Sequence, residues 1–511
     1  MREQIIVQSF NGGILDDIRQ QSANKFAMTK HFDVYSNPNR LTPHRSTEAD
    51  THDGSTATGM KQYDVRNFQL GSDGKLYGLG IQPGSTTRTK VVSKADPTDG
   101  NWTLNATAES GLNASASWRQ CFIEWQGAFW MFGGTTSVSK WVIGSTFTDT
   151  VATLGTAFTH VAQGVIAPDN NLYLFYNNKV VRVSPAGAVT DAVLTLPSDG
   201  RIIGATVYGR YLAIGWAKGT TLTSGGYSRV FLWDLVSPDV SEAINWGEGQ
   251  LMILGTLEGK IVGITDYFMS SLFGQNGGSL IIRMYAGAYP VIVKEVKLNA
   301  TVSLGLFLRD VVIKANKIHF VALLPFNYST STASTQHLGI WAFGRKTEND
   351  PWALTLDYVE EAVDTSNFQI RSFGNSGNYW HINHSADGSI TKTNDQATYT
   401  NTSIYESPKF NCGDISTRKK LWGFAITTAA QGSGAQVVVK YWKDGDTSFG
   451  NTLMTSNVDS SVSKEAVLHE GTTKELPEFH EIQFRIESTG GAEITGYKAI
   501  YERKKTLLQM K

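Results

Sequence analysis

Cysteine is nearly absent from this sequence: Cys121 and Cys412 are the only two in 511 residues. They are too few and too far apart for a disulfide framework, a zinc knuckle or a Cys-x-x-Cys redox pair, and two buried thiols are expected. Charge is scarce as well. Asp, Glu, Lys and Arg make up 18% of the chain, against roughly 25% in an average soluble protein. A net charge of −1 lacks the basic balance of a bulk nucleic-acid binder, although a net value does not describe local patches. No stretch approaches the roughly 18 apolar residues of a membrane span, and Met1–Gln4 opens no apolar leader. A chain made in a cytosol and kept in solution is expected. Also missing are a Gly-x-Ser-x-Gly elbow, a phosphate-cradling Gly-x-x-x-x-Gly-Lys loop and an EF-hand loop. No reaction is written in the sequence, so the expectation is a non-enzyme with no cofactor and no metal.

Glycine (50), tyrosine (19) and tryptophan (13) fill the space that charge leaves. The clearest phrase is Ala205–Leu235: Thr206-Val207-Tyr208, a Gly209-Arg210 turn, Tyr211–Trp216, a polar loop, then Val230–Trp233. Short apolar runs joined by a glycine turn are the pattern of an antiparallel sheet. The same phrase recurs with turns at Ser72-Asp73-Gly74, Gln126-Gly127, Asp169-Asn170-Asn171, Glu258-Gly259-Lys260, Ala315-Asn316-Lys317 and Ser376-Gly377-Asn378. Each precedes an aromatic or aliphatic second strand. Third strands follow at Lys140–Ile143, Val180–Val183, Val230–Trp233, Leu280–Met284 and Gly339–Phe343. About seven phrases spaced by roughly 40–60 residues are the signature of propeller blades.

The expected fold is therefore all-β, with a β-propeller of about seven irregular blades over 61–402. An extended N-terminal arm covers 1–60, with Ile5-Ile6-Val7 as a short strand. The segment Asp16–Lys30 suits one short helix. This arm has too little apolar surface for a core of its own and is expected to lie across another domain or a neighbouring subunit. Residues 403–511 read as an antiparallel β-sandwich, with strands beginning near Ile404, Arg418, Gln436, Phe479 and Ile494.

Candidate chemistry dissolves when weighed. Ser72-Asp73-Gly74 and Ser385-Ala386-Asp387-Gly388 are hairpin turns, too compressed for a sialidase-type box. Glu360, Glu361 and Asp364 supply acids, but adjacent acids on a strand point to opposite faces and do not form a glycosidase pair. His381 and His384 stand three apart on a strand, where they also face apart, and His319 reads as a satisfied core histidine. Asp444-Gly445-Asp446 reads as a turn, not a calcium loop. Trp118, Trp125, Trp130 and Trp141 with Phe122, Phe129 and Phe132 crowd one region; inter-blade packing is the first reading and a sugar-stacking surface the second.

The layout resembles the virion structural proteins of tailed bacteriophages, and among them the tail nozzle (tail tubular protein B) class of short-tailed phages. The resemblance rests on the Gly-Gly turn in Phe10–Asp17, the Arg/Pro segment Asn39-Arg40-Leu41-Thr42-Pro43-His44-Arg45, and the phrases Arg418–Trp422 and Val437–Tyr441. It implies a homo-oligomeric ring subunit with Arg40, Pro43 and Arg45 as candidate oligomer contacts. It further implies tail-protein neighbours on the adaptor or portal side and on the fibre side, and DNA only in transit through a channel. Assembly in the host cytoplasm into the virion follows. The alternative is a glycan-binding or glycan-cleaving propeller used in host attachment. A WD-type scaffold lacks its repeat consensus in this chain.

Overall fold

The computed structural model describes residues 2–15, 24–37, 39–50, 64–81, 89–96, 102–105, 121–133, 136–145, 147–156, 163–219, 226–269, 277–299, 311–325, 336–359, 370, 372–377, 379–383, 390–393, 399–430, 433–457, 464–469 and 475–504. Among them every regular element is a strand.

Seven four-stranded antiparallel sheets succeed one another in a propeller-like arrangement. In chain order, the first six span residues 64–104, 121–153, 163–195, 200–248, 250–299 and 311–359. The seventh takes three strands from 372–393 and its fourth, Thr47–Ala49, from the N-terminal arm. Each of the seven turns read from the sequence joins the first and second strands of one sheet. At Gln126-Gly127 both residues have positive φ, 54° and 69°, and at Glu258-Gly259 the values are 49° and 69°. A two-residue turn of this hand matches the twist of its strands, which is why glycine sits second.

Burial is greatest in the second strands and falls towards the fourth. The second strands Ala128–Phe132 and Leu172–Tyr176 are buried at every residue, because neighbouring sheets cover both faces. The fourth strand Val189–Thr195 exposes alternate residues. Each Leu or Phe sealed this way contributes about 1.5–3 kcal/mol.

Contacts run from sheet to sheet around the series. The Gln69 side-chain oxygen accepts from Glu124 N (3.2 Å), joining first to second. Phe132 meets Tyr176 edge-on at 5.7 Å, joining second to third. Gln163 brackets both backbone atoms of Ala205, accepting at 2.9 Å and donating at 3.1 Å. Thr256 Oγ1 donates to Val207 O (2.8 Å), Asn316 Nδ2 to Glu258 (2.6 Å), and Lys314 Nζ to Gly377 O. Finally Ser372 Oγ and Asn383 Nδ2 both donate to Val65 O at 2.8 Å, so the seventh sheet meets the first.

Two five-stranded sheets combine strands beyond residue 400 with one strand each from the N-terminal arm. One orders Arg2–Val7, Ile494–Arg503, Lys419–Thr428 and Lys464–His469, with Glu478–Phe479 alongside. The other orders Met28–Lys30, Ser403–Glu406, Ile482–Thr489, Gln436–Lys443 and Asn451–Asn457. They pack face to face through Phe424–Phe484 (centroids 5.0 Å apart) and Tyr405–Tyr497 (6.0 Å).

The short helix expected over Asp16–Lys30 is corrected. Met28–Lys30 is an edge strand paired with Ile404–Glu406, and residues 16–23 lie outside the described residues. Ala27, Met28 and Thr29 are all buried, so pairing with an open sheet edge overrides a weak local preference. The arm as a whole is mortar. Phe10, Ile14, Phe26, Phe32, Val34 and Leu41 share one continuous core with the paired sheets and with sheets five to seven. Ile14 N donates to Leu354 O (3.3 Å) while its own carbonyl accepts from Lys294 Nζ.

Candidate functional site at the closing seam

Where the seventh sheet meets the first, a set of polar side chains is sealed from solvent. Asp50 follows the arm strand Thr47–Ala49, and its backbone N–H donates to Ile390 O (2.8 Å). That bond turns the Asp50 carboxylate into the seam. Lys94 ends the third strand of the first sheet, and its Nζ lies 2.5 Å from Asp50 Oδ1. Trp102, in the fourth strand, donates Nε1–H to Asp50 Oδ2 at 2.9 Å. From the seventh sheet, His381 Nδ1 stands 3.6 Å from the same oxygen, and its Nε2 is 2.7 Å from Ser376 Oγ. Asp50, Lys94, Trp102, His381 and Ser376 are each no more than 3% exposed.

The backbones approach closely as well. A Cβ at Gly374 would fall 2.3 Å from Phe68 Cβ. Phe68 in turn packs on Trp102 (5.7 Å) and on the His381 ring (6.2 Å).

Electrostatics fix the protonation states. Burial pushes the Asp50 carboxyl up, but His381, the Lys94 ammonium and the Trp102 N–H outweigh it, and the group is held below the ordinary carboxylate range. Burial pulls His381 down; Asp50 opposes this, and Lys94 and Lys392 reinforce it, so the imidazole is neutral at pH 7. At 3.6 Å the Nδ1 atom is beyond hydrogen-bond distance of the Asp50 carboxylate, and the interaction there is electrostatic, whereas Nε2 shares a hydrogen bond with the Ser376 hydroxyl.

Ser376, His381 and Asp50 thus stand in the order of a nucleophile, base and orienting acid. The chemistry stops there. Ser376 is 3% exposed, and a nucleophile must meet its substrate. Neither the cavity of about 290 Å³ between the first strands of sheets three to six nor the crevice beside Tyr35 is lined by any of the three. The axial cavity is bordered by Gly164, Ala205, Thr206, Leu254 and Ile313, with no ionisable side chain among its lining residues.

A second buried trio of the same composition lies on the sixth sheet, under the arm. Lys317 Nζ is 3.0 Å and His319 Nε2 3.2 Å from Asp357 Oδ2, and Thr355 Oγ1 donates to Asp357 Oδ1 (2.8 Å). The arm closes this trio. Its Tyr35 ring lies 3.9 Å from the Lys317 ammonium, and the single Tyr35 O–H is shared between Ala315 O (2.9 Å) and Arg345 O. Burial raises Asp357, yet Lys317, His319 and His44 hold it well below the usual carboxylate range. Burial lowers the His44 imidazole against the opposing pull of Asp33 and Asp357.

The residues singled out from the sequence fall elsewhere. Arg40 pairs with Glu493 (2.6 Å) inside the chain, Pro43 is buried opposite Phe32, and Arg45 is exposed. Trp125, Trp130, Trp141, Phe122, Phe129 and Phe132 are all buried between sheets, as the packing reading expects. Trp118, Glu360, Glu361, Asp364, His384 and Ser385–Gly388 lie outside the described residues. His319 is a satisfied buried histidine, its Nδ1 3.3 Å from Val312 O. Asp444 caps a turn by accepting from His480 N and Glu481 N. Both cysteines are buried thiols. Sequence reasoning missed Asp50, Lys94, Trp102 and Ser376 as a group. They are spread over some 330 residues with no shared motif, and the only local cue was His381 within an apolar strand.

No family model matches the chain, and no curated protein does. Among solved structures, the exo-beta-1,3-galactanase from Phanerochaete chrysosporium is 11% identical with a TM-score of 0.31, covering 90% of this chain and 100% of that one. The computationally designed Ika8 protein is 10% identical (TM-score 0.38; 76% and 98% covered). The Pan2 WD40 domain of Neurospora crassa is 10% identical (TM-score 0.37; 65% and 90% covered). At scores this low, the similarities bring no activity, substrate or partner to this chain.

Proposed function

We propose that the chain is a non-enzymatic structural subunit of a tailed-phage virion. In this reading the seven sheets are the blades of a propeller, the paired five-stranded sheets are a sandwich, and copies assemble into a ring of the tail-nozzle kind. One observation carries it: the Ser376, His381 and Asp50 constellation is sealed in a seam, so its polar chemistry is spent on holding sheets together.

DNA in transit would pass through the ring of subunits, not through the propeller axis. Side chains tie neighbouring first strands to one another around that axis at Gln163–Ala205 and Thr256–Val207. The weak net charge suits passage, since a strongly basic lining would hold the phosphate backbone.

The experiment is cryo-electron microscopy of the purified full chain and of the particle, with light scattering at micromolar concentration. The reading expects a closed ring and matching density at the tail. A monomer with no corresponding density in virions would remove it. Turnover of a polysaccharide by the same preparation would replace it with the glycan-cleaving alternative.

A further inference from the structure

We propose that the described residues of the arm, 2–15, 24–37 and 39–50, dock and release as one cooperative unit, a strap that couples closure of the seven-sheet series to seating of the paired sheets, with Asp50 as its latch. The strap adds an edge strand to three separate sheets. Arg2–Val7 pairs with Ile494–Arg503, Met28–Lys30 with Ser403–Glu406, and Thr47–Ala49 with Ile390–Thr393. None of these strands is interior to its sheet. All three therefore leave without breaking any other strand pairing.

Between the strands, the strap is pinned to both bodies at once. Toward the paired sheets, Leu41 exchanges backbone hydrogen bonds with Ile494 (2.8 and 3.1 Å), and Ser403 Oγ donates to His31 O (2.9 Å). Toward the sixth sheet, Asn11 Nδ2 donates to Asp350 (2.9 Å), Lys346 Nζ donates to Ser36 O, and Tyr35 covers the Lys317 trio. Met28–Lys30 also packs on Ala353–Val359 of that sheet. Its apolar side chains sit in a core that includes Leu354 and Leu356 on one side and Phe424 and Phe484 on the other. A segment whose core is shared by two bodies opens as a unit, because freeing one half exposes the other half's apolar contacts.

Both ends of this shared surface carry a buried Asp–Lys–His trio. Asp50 brings the acid to Lys94 and His381, whereas Tyr35, Asp33 and His44 bring the cover to Asp357, Lys317 and His319. Withdrawing the strap takes the Asp50 carboxylate away from buried Lys94, beside Phe68, Val92 and Trp102, and uncovers Lys317. Breaking a buried ion pair by removing one member is strongly unfavourable. The two trios therefore both resist release of the strap, through Asp33, Tyr35 and His44 at one and Asp50 at the other.

Hydrogen exchange of the full chain, read by mass spectrometry, tests the coupling. In Asp50→Asn the lock loses its charge partner. Exchange is expected to rise about a hundredfold or more at the local pair 47–49 and 391–393. It is expected to rise by a similar factor at 28–30 and 404–406, which touch no part of the latch. Trp102→Phe removes a single N–H donor, keeps the fold, and is expected to give the same two-region pattern at lower amplitude. Acceleration confined to 47–49 and 391–393 in both variants, with 28–30 and 404–406 unchanged, would show three independent strands and overturn the strap. If Asp50→Asn does not fold, the Trp102→Phe pattern alone decides between these outcomes.

Discussion

The seam between the third and fourth sheets and the seam between the seventh and first join the same kind of element by opposite means. The former is mainly apolar: Tyr173, Phe175, Ile202, Leu212, Ile214, Trp216 and Phe231 interlock, Tyr173 stands edge-on to Trp233 at 5.5 Å, and Gln163 adds hydrogen bonds to the Ala205 backbone. The latter wraps a smaller apolar set, Val65, Phe68, Leu76, Val92, Trp102 and Ile390, around Asp50, Lys94 and His381. Chain connectivity explains the difference. Sheets three and four are joined by the short link between Thr195 and Gly200, so proximity is given and non-directional burial suffices. Sheets one and seven are some 300 residues apart in sequence and must find one register among many. Directional hydrogen bonds to one carboxylate discriminate among registers where apolar faces do not, and the price is stability that a hydrophobic seam would have kept.

That contrast can be broken most sharply at Asp50. Asp50→Ala is expected to destabilise the protein by about 3–5 kcal/mol, because it removes the carboxylate paired with the buried Lys94 ammonium. Urea denaturation measures it, and a loss below 1 kcal/mol would place the lock among ornamental contacts. Adding Lys94→Met to an Asp50→Leu chain should recover most of that loss, since the replacement is apolar on both sides. Leu212→Ala in the apolar seam comes next, at about 2–5 kcal/mol with no dependence on pH between 5 and 8.

Acid separates the seams without mutation. His381 and His44 have folded pKa values below their unfolded ones. Their contribution is present above about pH 6.5 and is lost as pH falls below it, because the unfolded chain binds the extra protons. Asp50 and Asp357, also depressed, add a second loss below about pH 3.9. Thermal melting as a function of pH should therefore fall in two stages, and Asp50→Leu with Lys94→Met should remove Asp50's share of the second while deepening the first, because His381 loses the carboxylate that raises it. Alkali acts elsewhere. Burial and the bond to Asp191 push Tyr176 up to about 12. Its contribution holds below about pH 10 and is lost as pH rises towards the folded value. The smallest effect belongs to Arg40→Ala. The Arg40–Glu493 pair is partly exposed, so its loss should cost under about 1 kcal/mol and vanish at high salt.

How much of this was legible varied with the range of the interaction. Turns such as Gln126-Gly127 and Glu258-Gly259 declare themselves, because a positive φ at two adjacent residues restricts what can stand there. Runs such as Phe129–Phe132 and Leu172–Phe175 declare strands buried on both faces. The arm hid its role for the opposite reason. Met28–Lys30 and Thr47–Ala49 are three-residue strands, too short for any period to show, and each exists because a distant edge is open. The charged lock was equally hidden: Asp50 sits in a polar run that reads as solvated, and Lys94 ends an ordinary strand.

By itself, then, the amino-acid sequence determined the hairpins, their order and their apolar second strands, because these depend on backbone conformations and side-chain periods within a few residues. Only the tertiary structure decided which strand completes the seventh sheet, which strands edge the paired sheets, and where charge is buried. Those choices depend on groups hundreds of residues apart meeting in space, where desolvation turns an unremarked aspartate into the fastening of a seam.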